Sequence, residues 1–154
     1  MEIEDLITPA RVLPRLKATS KKHVLQELAK RAAELTGLHE RAVFDVLLER
    51  ERLGTTGVGN GIAIPHGKLP DIKELFGLFA RLDEPVDFDA IDEQPVDLVF
   101  GLFAPKDSGV DHLKALALVS RTMRDPNVVA KLRANADPGK LHAILTESRA
   151  PQAA

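Results

Sequence analysis

The chain of 154 residues contains no cysteine, no tryptophan and no tyrosine. Without cysteine there are no disulfides, thiolate metal sites or cysteine nucleophiles, and a reducing cytoplasm is the expected location. Aromatic residues make up only 4%, all phenylalanine, so the stacking platforms that hold single-stranded nucleic acid are missing. A dominant charge is missing too. The 21 basic and 23 acidic residues give a formal net charge of -2, and no nucleic-acid partner is expected. The most apolar run, Leu98 to Ala104, is far short of the roughly 20 residues that cross a bilayer. The acidic opening Met1-Glu2-Ile3-Glu4-Asp5 is followed by no apolar export segment, so neither secretion nor direct membrane insertion is expected.

What is present is ordinary globular usage, with 44% apolar and 29% charged residues, at a length that buries a core without staples. One domain over residues 1–154 is expected, with a core of about 6–146 and a frayed tail at Ala150 to Ala154. Pro9 and Pro14 forbid an initial helix, and a short strand is expected around Val12 to Ala18. Ser20 can cap a helix whose apolar face is Val24, Leu25, Leu28, Ala32 and Leu35, with Gly37 as its stop. A second helix runs from about residue 39 to Arg52 and ends at Gly54.

Strands are expected at Ile62 to Ile64, at Leu75 to Leu82, at Val86 to Phe88 as an edge piece, and at Val96 to Ala104. The last is apolar enough to be central and covered on both faces. After a turn at Lys106 to Gly109, a third helix starts near Asp111, with Leu113, Leu116, Ala117, Ser120 and Met123 predicted to be buried. Asp125-Pro126 and Asp137-Pro138 each open a further short helix. Helices from both halves of the chain imply an α/β fold, a sheet with helices on both faces.

The densest chemistry lies in Thr55-Thr56-Gly57-Val58-Gly59-Asn60-Gly61-Ile62-Ala63-Ile64-Pro65-His66-Gly67. A lone loop histidine is ordinarily a packing or surface residue. Here glycines license close approach of the backbone and Pro65 fixes the segment that presents His66. Dinucleotide binding is excluded, because Gly57, Gly59 and Gly61 alternate and follow a helix. A P-loop is excluded because Gly67-Lys68 is followed by Leu69. No nucleophile elbow supports a triad, and His66, His112 and Asp111 lack the paired spacing of a metal site, so no metal and no cofactor is expected.

A phosphorylated histidine accounts for these residue types. The phosphoryl group needs backbone N–H donors, a hydroxyl and a cation around it. Gly57, Gly59, Asn60 and Gly61 offer amides, Thr55 or Thr56 a hydroxyl, Arg50 a guanidinium, and His112 a second imidazole near a helix N-terminus. For Arg50 a plain surface role is the alternative.

Gly59-Asn60-Gly61-Ile62-Ala63-Ile64-Pro65-His66-Gly67-Lys68, with Phe88-Asp89-Ala90-Ile91-Asp92, Gln94-Pro95-Val96-Asp97 and His112-Leu113, resembles the type-2 EIIA domains of the bacterial phosphoenolpyruvate-dependent phosphotransferase system. The resemblance runs from about Leu6 to Thr146 and is strongest to the nitrogen-regulatory branch, with mannitol- and fructose-specific domains as further relatives. It implies a mixed sheet of about five strands sandwiched by helices. It also implies that His66 is the phosphoryl acceptor, assisted by His112 and Arg50, and that the donor is an NPr- or HPr-like phosphocarrier. Regulated partners such as potassium-transport regulators or sensor kinases are implied for that branch. Two alternatives stay open: a sugar-specific EIIA that passes phosphate to an EIIB, and a binding module that works without phosphorylation.

Overall fold

The computed structural model describes residues 1–147, and the tail expected to fray, Ala150 to Ala154, lies outside them. Two 3-10 turns, Ile3–Asp5 and Pro9–Arg11, lead into strand β1, Val12–Leu16. Helix α1, Lys21–Thr36, starts where the Ser20 hydroxyl accepts the His23 amide and stops at Gly37, whose φ of 78° suits a residue without Cβ. Helix α2, Glu40–Leu53, gives way at Gly54 to strands β2, Gly57–Gly59, and β3, Ile62–Ala63, then β4, His66–Leu69. Strands β5, Phe76–Val86, and β6, Val96–Pro105, complete the sheet. Helices α3, Val110–Arg124, α4, Pro126–Arg133, and α5, Pro138–Thr146, follow, the last two capped by Asp125 and Asp137 as the Asp-Pro pairs predict.

The strand order is β1-β5-β6-β3-β2, with β4 also on β6. Strand β6 is central, antiparallel to β5 and parallel to β3 and β4, so the sheet is mixed as expected. Ile62 and Ala63 face Leu98 and Val99, and His66 and Gly67 face Leu102 and Phe103 in the same register. Strands β3 and β4 are therefore one strand broken at Ile64-Pro65, where proline has no N–H to give the ladder. Counted along this path, the six strands make the expected five. Sequence patterning did not show β2 or β4, whose short glycine-bearing segments carry no period. The edge piece expected at Val86 to Phe88 is corrected: Val86 is the end of β5, reached through a register shift after Arg81.

Helices α1 and α2 cover one face, packing Leu25, Leu28, Val43 and Leu47 against Leu78, Val99 and Phe103. Helices α3, α4 and α5 cover the other, with Ala115, Val119, Leu132 and Leu141 against Phe79, Phe100 and Leu102. Strand β6 alternates between the two layers, which is why its run is apolar throughout. One predicted face is wrong in part: Met123 is buried and Leu116 packs against the core as expected, but Leu113 and Ala117 are not. On α3 the buried residues are His112, Ala115, Val119, Thr122 and Met123, whereas Leu113 is 66% exposed and Ala117 is exposed too. Apolar side chains occupy almost every side of α3, so periodicity had no contrast with which to choose the inward stripe. The rotation turns His112 inward.

Candidate functional site

The strand break sets the site. Ile64 turns its amide to the Thr56 carbonyl, 3.0 Å away, and its own carbonyl receives His66 Nδ1 at 2.9 Å. The ladder resumes at Pro65, whose carbonyl accepts the Leu102 amide. A carbonyl can only accept, so His66 carries its proton on Nδ1 and leaves the lone pair on Nε2. Arg50, in the last turn of α2, donates from Nε to that Nε2 at 3.2 Å and from Nη1 to the Gly54 carbonyl at 2.9 Å. A guanidinium only donates, so both neighbours select the same tautomer. Gly67 allows α2 to lie this close, since a Cβ there would collide with Val46.

His112 enters from the other face of the sheet as the third residue of α3, within the first turn. Its ring stands edge-on to that of His66, with centroids 5.6 Å apart and planes at 73°. Its Nε2 is buried and has no hydrogen-bond partner among the described residues. Burial is the main reason both imidazoles titrate below 6.5; Arg50 adds to the effect at His66, and His66 and Lys68 add to it at His112. At His66 the Ile64 hydrogen bond and the Glu51 charge pull the other way. A neutral, oriented imidazole with a lone-pair nitrogen beside a cation is a nucleophile for an anionic electrophile.

His66, His112 and Arg50 thus converge as expected. The loop residues divide. Thr55 Oγ1 donates to the Phe88 carbonyl at 2.7 Å and Thr56 Oγ1 to Glu51 at 2.7 Å, so in this structure neither hydroxyl proton is free for a phosphoryl group. The Gly57 amide is likewise taken, by Thr55 Oγ1 at 3.0 Å. Gly59, Asn60 and Gly61 form the β2–β3 turn at positive φ, five or more residues of extended chain from His66, roughly 16 Å or more at about 3.3 Å per residue. They brace the fold instead: the Asn60 amide bonds Asp92, and the Asn60 carbonyl takes Arg133 Nη2 at 2.7 Å.

Two charges near the site went unassigned in the sequence. Lys68 follows His66 by two residues in β4, on the same strand face, and its motif carried no hint of that register. Glu51 is buried beneath the turn, where it accepts the Thr56 amide and hydroxyl, and no periodic signal separates such a residue from the charged helix end Glu49-Arg50-Glu51-Arg52. No helix among the described residues is long and apolar enough to cross a membrane, and none of their His, Asp and Glu side chains gather into a metal-binding group.

Comparison with known proteins places the whole chain in a family. Residues 5–148 match the family described as phosphoenolpyruvate-dependent sugar phosphotransferase system, EIIA 2. A nitrogen regulatory protein of Bradyrhizobium diazoefficiens is 60% identical over 145 residues, covering 94% of this chain and 95% of that protein. The crystal structure of nitrogen regulatory protein IIA-Ntr from Neisseria meningitidis superposes with a TM-score of 0.87 at 34% identity, over 93% of this chain and 97% of that one. IIA mannitol from Escherichia coli shares the fold, with a TM-score of 0.77 at 20% identity over 90% and 98% of the two chains. With nearly its whole length matched and its histidine pair held across the sheet, the chain belongs to the EIIA 2 family of the phosphoenolpyruvate-dependent sugar phosphotransferase system.

Proposed function

We propose that this protein is a nitrogen-regulatory phosphocarrier, which accepts a phosphoryl group on His66 Nε2 from an NPr- or HPr-like phosphohistidine carrier. It then acts on partner proteins according to its phosphorylation state. The observation that carries the reading is the forced tautomer, with Nδ1–H bonded to the Ile64 carbonyl and the Nε2 lone pair facing Arg50. The names of the nitrogen regulatory relatives support the regulatory half.

In the transfer, the Nε2 lone pair attacks phosphorus in line while the donor P–N bond breaks and its electron pair returns to the donor imidazole. Positive charge that builds on the His66 ring is shared with the Ile64 carbonyl through Nδ1–H. Arg50 moves its Nε–H from the ring nitrogen to a phosphoryl oxygen, and Lys68 and the first turn of α3 add positive potential. His112, neutral and without a protein partner at Nε2 among the described residues, supplies a further hydrogen-bond donor in the appropriate tautomer. Positioning and charge do the work.

Donor docking has a surface to use. Leu53, 81% exposed, ends the helix that holds Arg50; Val110 and Leu113, 64% and 66% exposed, flank His112. Exposed aliphatic side chains around a polar centre are the anatomy of a protein interface. The test is incubation with phosphoenolpyruvate, Enzyme I and the carrier. An acid-labile label on the wild type that His66→Ala lacks supports the reading; label that persists in His66→Ala overturns it. Passage of label to an EIIB would indicate sugar-transport service instead.

A further inference from the structure

Glu51 is the one buried charge among the described residues that phosphoryl chemistry leaves unused. Its side chain is only 3% exposed, and a carboxylate in such a place is costly unless it is fully ligated. It is: Oε1 accepts the Thr56 amide at 2.7 Å and lies 3.0 Å from Lys21 Nζ, while Oε2 accepts the Thr56 hydroxyl at 2.7 Å. Lys21, the first residue of α1, is itself held, 5.3 Å from the centre of the Phe88 ring and 3.6 Å from Asp89.

From Thr56 the bonds continue in one line to the imidazole. The Thr56 carbonyl accepts the Ile64 amide at 3.0 Å, and the Ile64 carbonyl accepts His66 Nδ1 at 2.9 Å. Beyond Thr56 every link but the last is backbone, so fixing Thr56 fixes the carbonyl that meets the ring. Arg50 meanwhile bonds the Gly54 carbonyl. Consecutive residues of α2 therefore clamp both ends of the turn that delivers the chain to the histidine strand.

We propose that Glu51 is a positioning residue for His66, holding Thr56 and hence the Ile64 carbonyl so that the imidazole keeps its proton on Nδ1 and its lone pair on Nε2. Lys21 completes the ligation of that carboxylate. The functional consequence rests on the phosphoryl-acceptor reading; the geometry does not. A glutamine of the same size would offer one acceptor oxygen where Glu51 uses two, and would turn N–H groups toward Thr56 or Lys21.

The experiment combines nitrogen NMR of the His66 ring, at a pH where it is neutral, with phosphoryl-transfer kinetics. Wild type is expected to show the Nδ1–H tautomer alone. Glu51→Gln is expected to show a tautomer mixture and a kcat lowered about 10- to 100-fold, with KM for the carrier changed less than about twofold. Glu51→Asp, which keeps the charge, recovers part of kcat. Lys21→Met moves both readouts in the same direction by less, and decides the matter should Glu51→Gln prevent folding. Val43→Ala, a core change on the same helix, is expected to lower stability while leaving tautomer and kcat alone.

Wild-type tautomer and kcat in Glu51→Gln, or in Lys21→Met when the other does not fold, overturn the proposal. So does Val43→Ala reproducing the effect. The ring measurement needs no phosphoryl donor, so a wild type that never labels removes the proposed function while a shifted tautomer in Glu51→Gln still upholds the positioning role.

Discussion

Arg50 does two things at once in the unphosphorylated protein: it donates to His66 Nε2 and ties down the Gly54 carbonyl. Arg50→Ala is expected to fold normally and to slow labelling of His66 by about 10²-fold, the scale of losing one preorganised donor at a developing charge. Arg50→Lys recovers little, because an ammonium cannot hold two acceptors in a planar fork. Initial labelling rates check both. The imidazoles also leave a mark on stability. His66 and His112 each titrate below 6.5, burial being the main cause. The unfolded chain therefore takes up protons first as pH falls. Their contribution is complete above 6.5, drains away below it, and levels off once the folded values are passed. Urea midpoints measured from about pH 7.5 to 5 should fall more steeply for wild type than for a His66→Gln, His112→Gln double variant.

Helix α3 shows how the elements carry the site. Its inward stripe starts at His112, which leaves Leu113 beside the site and in solvent. Leu113→Asp is expected to raise KM for the phosphocarrier, to leave kcat within about twofold, and to change unfolding free energy by less than about 0.5 kcal/mol. Val119→Asp on the buried stripe should abolish cooperative unfolding, because it places an unpaired charge in the core. Circular dichroism during thermal unfolding separates the two. Legibility in the sequence followed the same division. Caps and stops, such as Ser20, Gly37 and the Asp-Pro pairs, act locally and were read correctly. His66 stood out in the sequence because Pro65 and its glycine neighbours are unusual together, and the structure sets it beside Arg50 and His112. Which way α3 faces, that Thr55 serves Phe88, and that Glu51 lies buried against Lys21 all depend on residues distant in sequence, and the Thr56–Glu51 contact, though only five residues long, crosses a helix end that carries no period.

Across the whole molecule, bracing and chemistry occupy different regions of the sheet. Arg133 of α4 grips Asp97 of β6 through Nε at 2.8 Å and Nη2 at 2.9 Å, and the same Nη2 reaches the Asn60 carbonyl. Arg81 of β5 in turn donates to the Arg133 carbonyl at 2.9 Å. Gly61 makes room for the pair, since a Cβ there would meet Arg133 and lie 2.8 Å from Asp97 Oδ1. One bidentate contact therefore joins α4, the start of β6 and the β2–β3 turn. Arg133→Ala is expected to cost about 1 kcal/mol or less in urea unfolding, because the contact is solvent-exposed, while labelling of His66 proceeds at the wild-type rate.

The gap at Ile64-Pro65 decides how the histidine is placed. Strand pairing stays in step on either side of it, with Ala63 on Val99 and His66 on Leu102. The height of His66 in the molecule is thus gauged against the centre of the sheet, and the glycine-rich turn upstream does not set it. That turn has a separate task, bonding Asp92 and Arg133 through Asn60, while the pairing on β6 carries the strand on to the imidazole. A hole of two register positions in an otherwise continuous ladder leaves the sheet a ruler for the imidazole.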